Sequence, residues 1–140
     1  MINFNEILYL APEIIVGSFA FLIIIIDLIL GKKIRSSDIA SLGIATSLIL
    51  TILMYANIIK FDDNFSGSFY SVISIDKYSM LFKIVILMLS LSIATVGKEL
   101  LSRTIKLRSE FWALFMISLS GMMMLTSSSE MITAWVALEL

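Results

Sequence analysis

Four apolar runs, each close to the length of a bilayer crossing, constrain this chain more than any other feature of it. They lie at about residues 12–30, 39–59, 78–96 and 110–125. A hydrocarbon core ~30 Å thick is crossed by about 20 residues of α-helix. In hydrocarbon the backbone N–H and C=O groups have to be satisfied within the segment, so runs of this kind cross as helices. The first contains the unbroken stretch Phe19-Ala20-Phe21-Leu22-Ile23-Ile24-Ile25-Ile26. The fourth is short and is expected to extend into its flanks. A fifth apolar run follows Glu130 and reaches Leu140. Hydrophobic residues make up 59% of the 140-residue chain, above the ~45–50% of soluble domains. The expected fold is all-α: a multi-pass transmembrane helical bundle of four helices plus the start of a fifth, truncated over 130–140.

The helix ends and connections carry local signals. Pro12 suits a first helical turn, where its missing N–H would be unpaired anyway, and Glu13 beside it sits at the positive end of the helix dipole. Acidic Glu6, the absence of a basic residue before Lys32 and the lack of a small-x-small site argue against a cleavable signal peptide, so the first run is expected to be retained. Ser36, Ser37 and Asp38 are capping candidates for the second helix. Gly43 and Ser47, four residues apart, would let a neighbouring helix approach closely. The connection 60–77 holds the turn-formers Asp62, Asp63, Asn64, Ser66 and Gly67. Phe69 to Ile75 has partial β alternation, so a small β-hairpin fits in this outer loop. Met116, Met122, Met123 and Met124 read as gap-filling core residues rather than a metal-binding cluster. Ser127 and Glu130 have the spacing of a capping box and are expected to start the fifth helix.

The net charge of −1 is uninformative as a sum, but its distribution orients the chain. Seven Lys and Arg (32, 33, 35, 98, 103, 106, 108) lie in the connections between helices one and two and between three and four, against Lys60 and Lys77 on the other side. The positive-inside rule therefore puts loops 31–38 and 97–109 in the cytoplasm, or the matrix, and the N-terminus outside. With no Cys and no His in the chain, disulfides, thiolate metal sites, His-held haem, Cys-ligated iron–sulfur clusters and Cys or His catalysis are excluded within it. No Gly-rich phosphate loop is present, and the slight net negative charge gives no case for nucleic acid. No cofactor or metal site is expected here.

Ionisable residues inside the apolar runs are the functional candidates, because such groups are costly in a membrane and face protein or water. Glu139 is the foremost. From Glu130 it lies roughly 13–14 Å along a helix, near the middle of the hydrocarbon core. The competing reading is a solvated residue after a short helix that ends nearby. Lys83 is about one and a half turns into the third span; the favoured reading is a side chain that snorkels to the interface, the alternative a lysine facing the bundle interior. Asp27 reads most simply as an interfacial residue neutralised by Lys32 or Lys33, with a buried polar role as the alternative. Glu13 has the same two readings. Lys83, Asp27 and Glu13 are accessory candidates beside Glu139.

Three stretches carry a resemblance. Leu10-Ala11-Pro12-Glu13-Ile14-Ile15 with an apolar run to Asp27 is one, and Asp76-Lys77-Tyr78-Ser79-Met80-Leu81-Phe82-Lys83 is the second. The third and most specific runs from Glu110-Phe111-Trp112-Ala113-Leu114-Phe115 through Gly121-Met122-Met123, Ser127 and Glu130 to Ala137-Leu138-Glu139-Leu140. Together they resemble the N-terminal part of subunit N of the proton-pumping NADH:quinone oxidoreductase (complex I), an antiporter-like membrane-arm subunit. The resemblance implies a respiratory-chain translocase of the bacterial cell membrane or mitochondrial inner membrane, with proton transport coupled to quinone reduction and electron transport. It implies that this chain is an N-terminal fragment, with the lysine partners of Glu139 in the missing C-terminal part. Glu139 would then be the proton-path carboxylate. NADH, FMN, iron–sulfur clusters and quinone would belong to other subunits, and the other membrane subunits and the lipid bilayer would be the partners. No activity is expected of the fragment alone. Burial favours the neutral form of a carboxyl and a nearby cation its charged form, so a movable lysine or water chain would switch such a group. Two other readings stand beside this one: a subunit of a cation/proton antiporter or membrane-bound hydrogenase, and a small structural membrane protein.

Overall fold

A computed structural model describes residues 10–30, 36–56, 77–104 and 108–140. Five helices are found there: α1 (Ala11–Leu30), α2 (Ser36–Tyr55), α3 (Lys77–Thr104), α4 (Arg108–Ser127) and α5 (Met131–Glu139). The first four are long and apolar enough to cross a membrane. Residues 57–76 are outside the described set, and the expected β-hairpin at 60–77 lies there, apart from Lys77, which opens α3. α3 runs to Thr104, past the apolar stretch that ends near Val96, because Lys98, Glu99 and Arg103 continue the helix beyond the hydrophobic span.

Many hydroxyl residues of these helices bond back to a carbonyl of the preceding turn. Ser18 donates to the carbonyl of Ile15 at 2.8 Å, Thr51 to Ser47 at 2.8 Å, Ser92 to Met88 at 3.0 Å and Ser120 to Ile117 at 2.7 Å. Bonding back to the preceding turn satisfies these hydroxyl hydrogens in an apolar surrounding.

α1 to α4 form one bundle. α1 packs on α2 and α4, α3 packs on α2 and α4, and α2 also touches α4 across the middle. α1 and α3 are thus on the long diagonal and do not pack as neighbours. The core is thin and built from one stripe per helix: Val16, Ala20 and Ile23 of α1, Ala40 and Ile44 of α2, Leu87 and Ala94 of α3, and Trp112, Met116, Leu119 and Met123 of α4. Large apolar side chains face outward on the other side of the same helices, including Phe21, Leu28, Phe82 and Leu114, with Leu28 85% exposed. An outward apolar surface that continues along every helix fits lipid as the outer solvent.

Two glycines set helix spacing. A Cβ on Gly43 would come within 2.7 Å of the Phe19 ring and 2.9 Å of the Met116 methyl, so α2 touches both α1 and α4 there. A Cβ on Gly121 would come within 2.9 Å of the Ala137 carbonyl oxygen, and that is where α5 lies on α4.

Candidate functional site

Inside the bundle, the carboxylate of Glu13 on α1 meets the ammonium of Lys83 on α3 at 2.5 Å. Glu13 is 4% exposed and Lys83 2%. Each lies on the buried stripe of its helix. On α1 that stripe is Glu13, Val16, Ala20 and Ile23; on α3 it is Ser79, Lys83, Leu87, Ser90 and Ala94. Spacings of three and four keep these residues on one helical face. The pair joins the two helices that do not otherwise pack together. Beyond this contact, neither oxygen of the Glu13 carboxylate has a hydrogen-bond partner among the described residues.

The snorkelling expected of Lys83 is therefore overturned. The side chain leaves the small-residue face of α3, which turns inward, and an anion waits there. The lipid side of the helix is taken by Leu81, Phe82, Val85, Met88 and Leu89. Glu13 likewise lies inside the bundle.

The depth of the pair follows from neighbouring contacts. The Ser47 hydroxyl donates to the Pro12 carbonyl at 3.1 Å, with both residues buried. The start of α1 thus lies beside Ser47, eight residues before α2 ends at Tyr55; eight residues are about 12 Å of helix. The pair sits well below that end of α2.

α5 begins differently from the capping box expected. Ser127 is the last residue of α4; it is buried, and its hydroxyl donates to the Met123 carbonyl at 3.1 Å. That bond to the previous turn takes the group that would have capped the next helix. Glu130 occupies the N-cap position at φ −109° and ψ 145° without a side-chain capping bond. α5 then packs on α4 with Ala137 as its buried residue, while Ile132, Trp135, Val136, Leu138 and Glu139 are exposed. Leu140 lies against Gly121. Met116 stands beside Gly43, and α4 runs parallel to α2, so Gly121 comes level with Ser47 to within about a helical turn. Glu139 and the Glu13–Lys83 pair therefore sit at similar heights, the pair inside the bundle and Glu139 on a helix attached outside it.

Asp27, one heptad pair beyond Glu13, falls on the same stripe of α1 and is half-buried. Its expected partners, Lys32 and Lys33, lie outside the described residues. Asp38, a capping candidate, instead pairs with Lys98 at the end of the bundle that carries the basic connections. Sequence reasoning named Glu13 and Lys83 separately but missed their pairing. The readable signal was the stripe of Ser79, Ser90 and Ala94 around Lys83, opposite a face of large side chains. Among the described residues no group of three or more acidic side chains could hold a metal ion.

Four membrane-length helices around a buried ion pair define an integral membrane bundle with charge in its interior. No protein-family model matches the chain and no solved structure matches it. Curated relatives do. NADH-quinone oxidoreductase subunit N of Dehalococcoides mccartyi is 29% identical over 130 residues, 92% of this chain and 26% of that protein. The subunit of the same name from Brevibacillus brevis is 30% identical over 139 residues, 94% of this chain and 26% of that one. F(420)H(2) dehydrogenase subunit N of Methanosarcina mazei is 27% identical over 141 residues, 97% of this chain and 28% of that one. The chain is similar to these subunit N proteins over more than nine-tenths of its own length and spans about a quarter of the length of the relatives it matches.

Proposed function

We propose that this chain is part of the membrane arm of a proton-translocating NADH:quinone oxidoreductase, with Glu139 as a carboxylate of its proton path. The likeness to subunit N proteins across more than nine-tenths of the chain carries this reading. The bundle supports it: lipid-facing side chains on every crossing helix, and an acidic residue on α5 level with the buried pair. In this reading proton movement is coupled to quinone reduction in other subunits, which hold NADH, FMN, the iron–sulfur clusters and the quinone. The remaining helices of the subunit cover the exposed face of α5 and supply the cation that Glu139 needs. Loops 31–38 and 97–109 face the cytoplasm, and the N-terminus lies outside.

The likeness to F(420)H(2) dehydrogenase subunit N favours a second reading that differs in electron input, with F(420)H(2) in place of NADH. Which donor drives quinone reduction in membranes holding the whole complex separates the two.

Glu139→Gln in the full-length subunit tests the role of the carboxylate. The expected result is an assembled complex that pumps few or no protons. Normal pumping by a fully assembled Glu139→Gln complex would remove Glu139 from the path.

A further inference from the structure

Glu13 and Lys83 form a buried ion pair between α1 and α3. Apolar side chains of similar volume hold a buried site as well as an ion pair does, and usually better. A buried pair repays its desolvation when additional hydrogen bonds satisfy the remaining groups, and this carboxylate has none beyond Lys83 among the described residues. The Ser47 hydroxyl, beside the start of α1, donates to the Pro12 carbonyl. The pair lies level with Glu139, and α4 packs on both the bundle interior and α5.

We propose that Glu13 and Lys83 form a second proton-exchanging site, inside the bundle, that works in the same translocation cycle as Glu139; this rests on the reading given above. In the resting state the carboxylate and the ammonium neutralise each other. A hydronium ion gives a proton to a Glu13 carboxylate oxygen, an O–H bond forms, and water leaves. The pair gains one positive charge, and Lys83 keeps its three N–H bonds but loses its anion. Return of that proton to water restores the ion pair. The other titratable side chains of the packed helices lie away from it: on α1 Asp27 is fourteen residues further along, on α2 Asp38 is at the far end and paired with Lys98 and Tyr55 is exposed at the other end, on α3 Lys77 and Tyr78 are exposed at the helix start, and on α4 Glu110 is exposed near the helix start. The charge of this site is thus set by Glu13 and Lys83 together.

The test uses the full-length subunit in its complex, in sealed membrane vesicles, with E139Q run in parallel. The double variant E13L/K83M removes both charges and keeps the volume. The expected result is an assembled complex that still reduces quinone but moves fewer protons per electron pair. Wild-type proton yield from an assembled E13L/K83M complex would overturn the site, while a full yield from E139Q would overturn the reading of Glu139 instead. E13D keeps a carboxylate and provides a second measurement should the double variant not assemble. Turnover-induced infrared difference spectra are expected to contain a carboxylic C=O band that shifts in E13D; a spectrum unchanged from wild type refutes proton uptake at Glu13.

Discussion

Removing Lys83 alone should damage this protein far more than removing Lys83 and Glu13 together. At a separation of 2.5 Å, and with an effective dielectric constant of ~20, the attraction between two unit charges is roughly 5–7 kcal/mol. Desolvating each ion costs several kcal/mol, so the intact pair is close to neutral in net effect. Lys83→Met takes away the attraction and leaves a Glu13 carboxylate that is 4% exposed without its cation. The expected loss is about 3–5 kcal/mol, the range for breaking a buried pair. E13L/K83M removes both desolvation terms and is expected within about 1 kcal/mol of wild type, since apolar replacement of a buried pair is often neutral. The assay is the thermal midpoint and denaturant resistance of the full-length subunit in its purified complex, for wild type, both single variants and the double variant. The reasoning is refuted if Lys83→Met is no less stable than the double variant, because the coupling attributed to the pair would then be absent.

Other outcomes follow from the same packing. Gly121→Ala drives a methyl group against the Ala137 backbone oxygen, 2.9 Å away, so α5 has to move; about 1–3 kcal/mol of overpacking is expected, with reduced proton pumping as Glu139 shifts. Gly43→Ala meets the Phe19 side chain at its root and should destabilise by a similar ~1–3 kcal/mol. Ser47→Ala removes the bond to the Pro12 carbonyl and should cost only about 0.6 kcal/mol, a usual value for hydrogen bonds between membrane helices. Lys98→Ala breaks the pair with Asp38, whose side chains are 35% and 43% exposed; the loss should stay below ~1 kcal/mol and shrink further in high salt. Thermal melts of the assembled variants check all four.

Apolar length and the need to satisfy backbone groups in hydrocarbon determined the helical class and the four crossings from the sequence alone. The spacing of small and hydroxylated residues, such as Gly43 with Ser47, also marked where helices meet. The acidic and basic residues inside those crossings were readable one at a time, because any charge in an apolar run stands out. Their partnership was decided only by the tertiary structure. Glu13 and Lys83 are seventy residues apart, on helices that do not pack together, and no local pattern specifies which diagonal of a four-helix bundle is the long one. The same holds for Ser127, whose S-x-x-E spacing suits a helix start. The hydroxyl can reach either the next helix or the preceding turn, and packing of α4 through Met123 and Ser127 gave it to the preceding turn. Height is likewise a tertiary property. Glu139 and Glu13 come level through the contacts Ser47–Pro12, Met116–Gly43 and Leu140–Gly121, a relation between carboxylates that sequence distance does not contain.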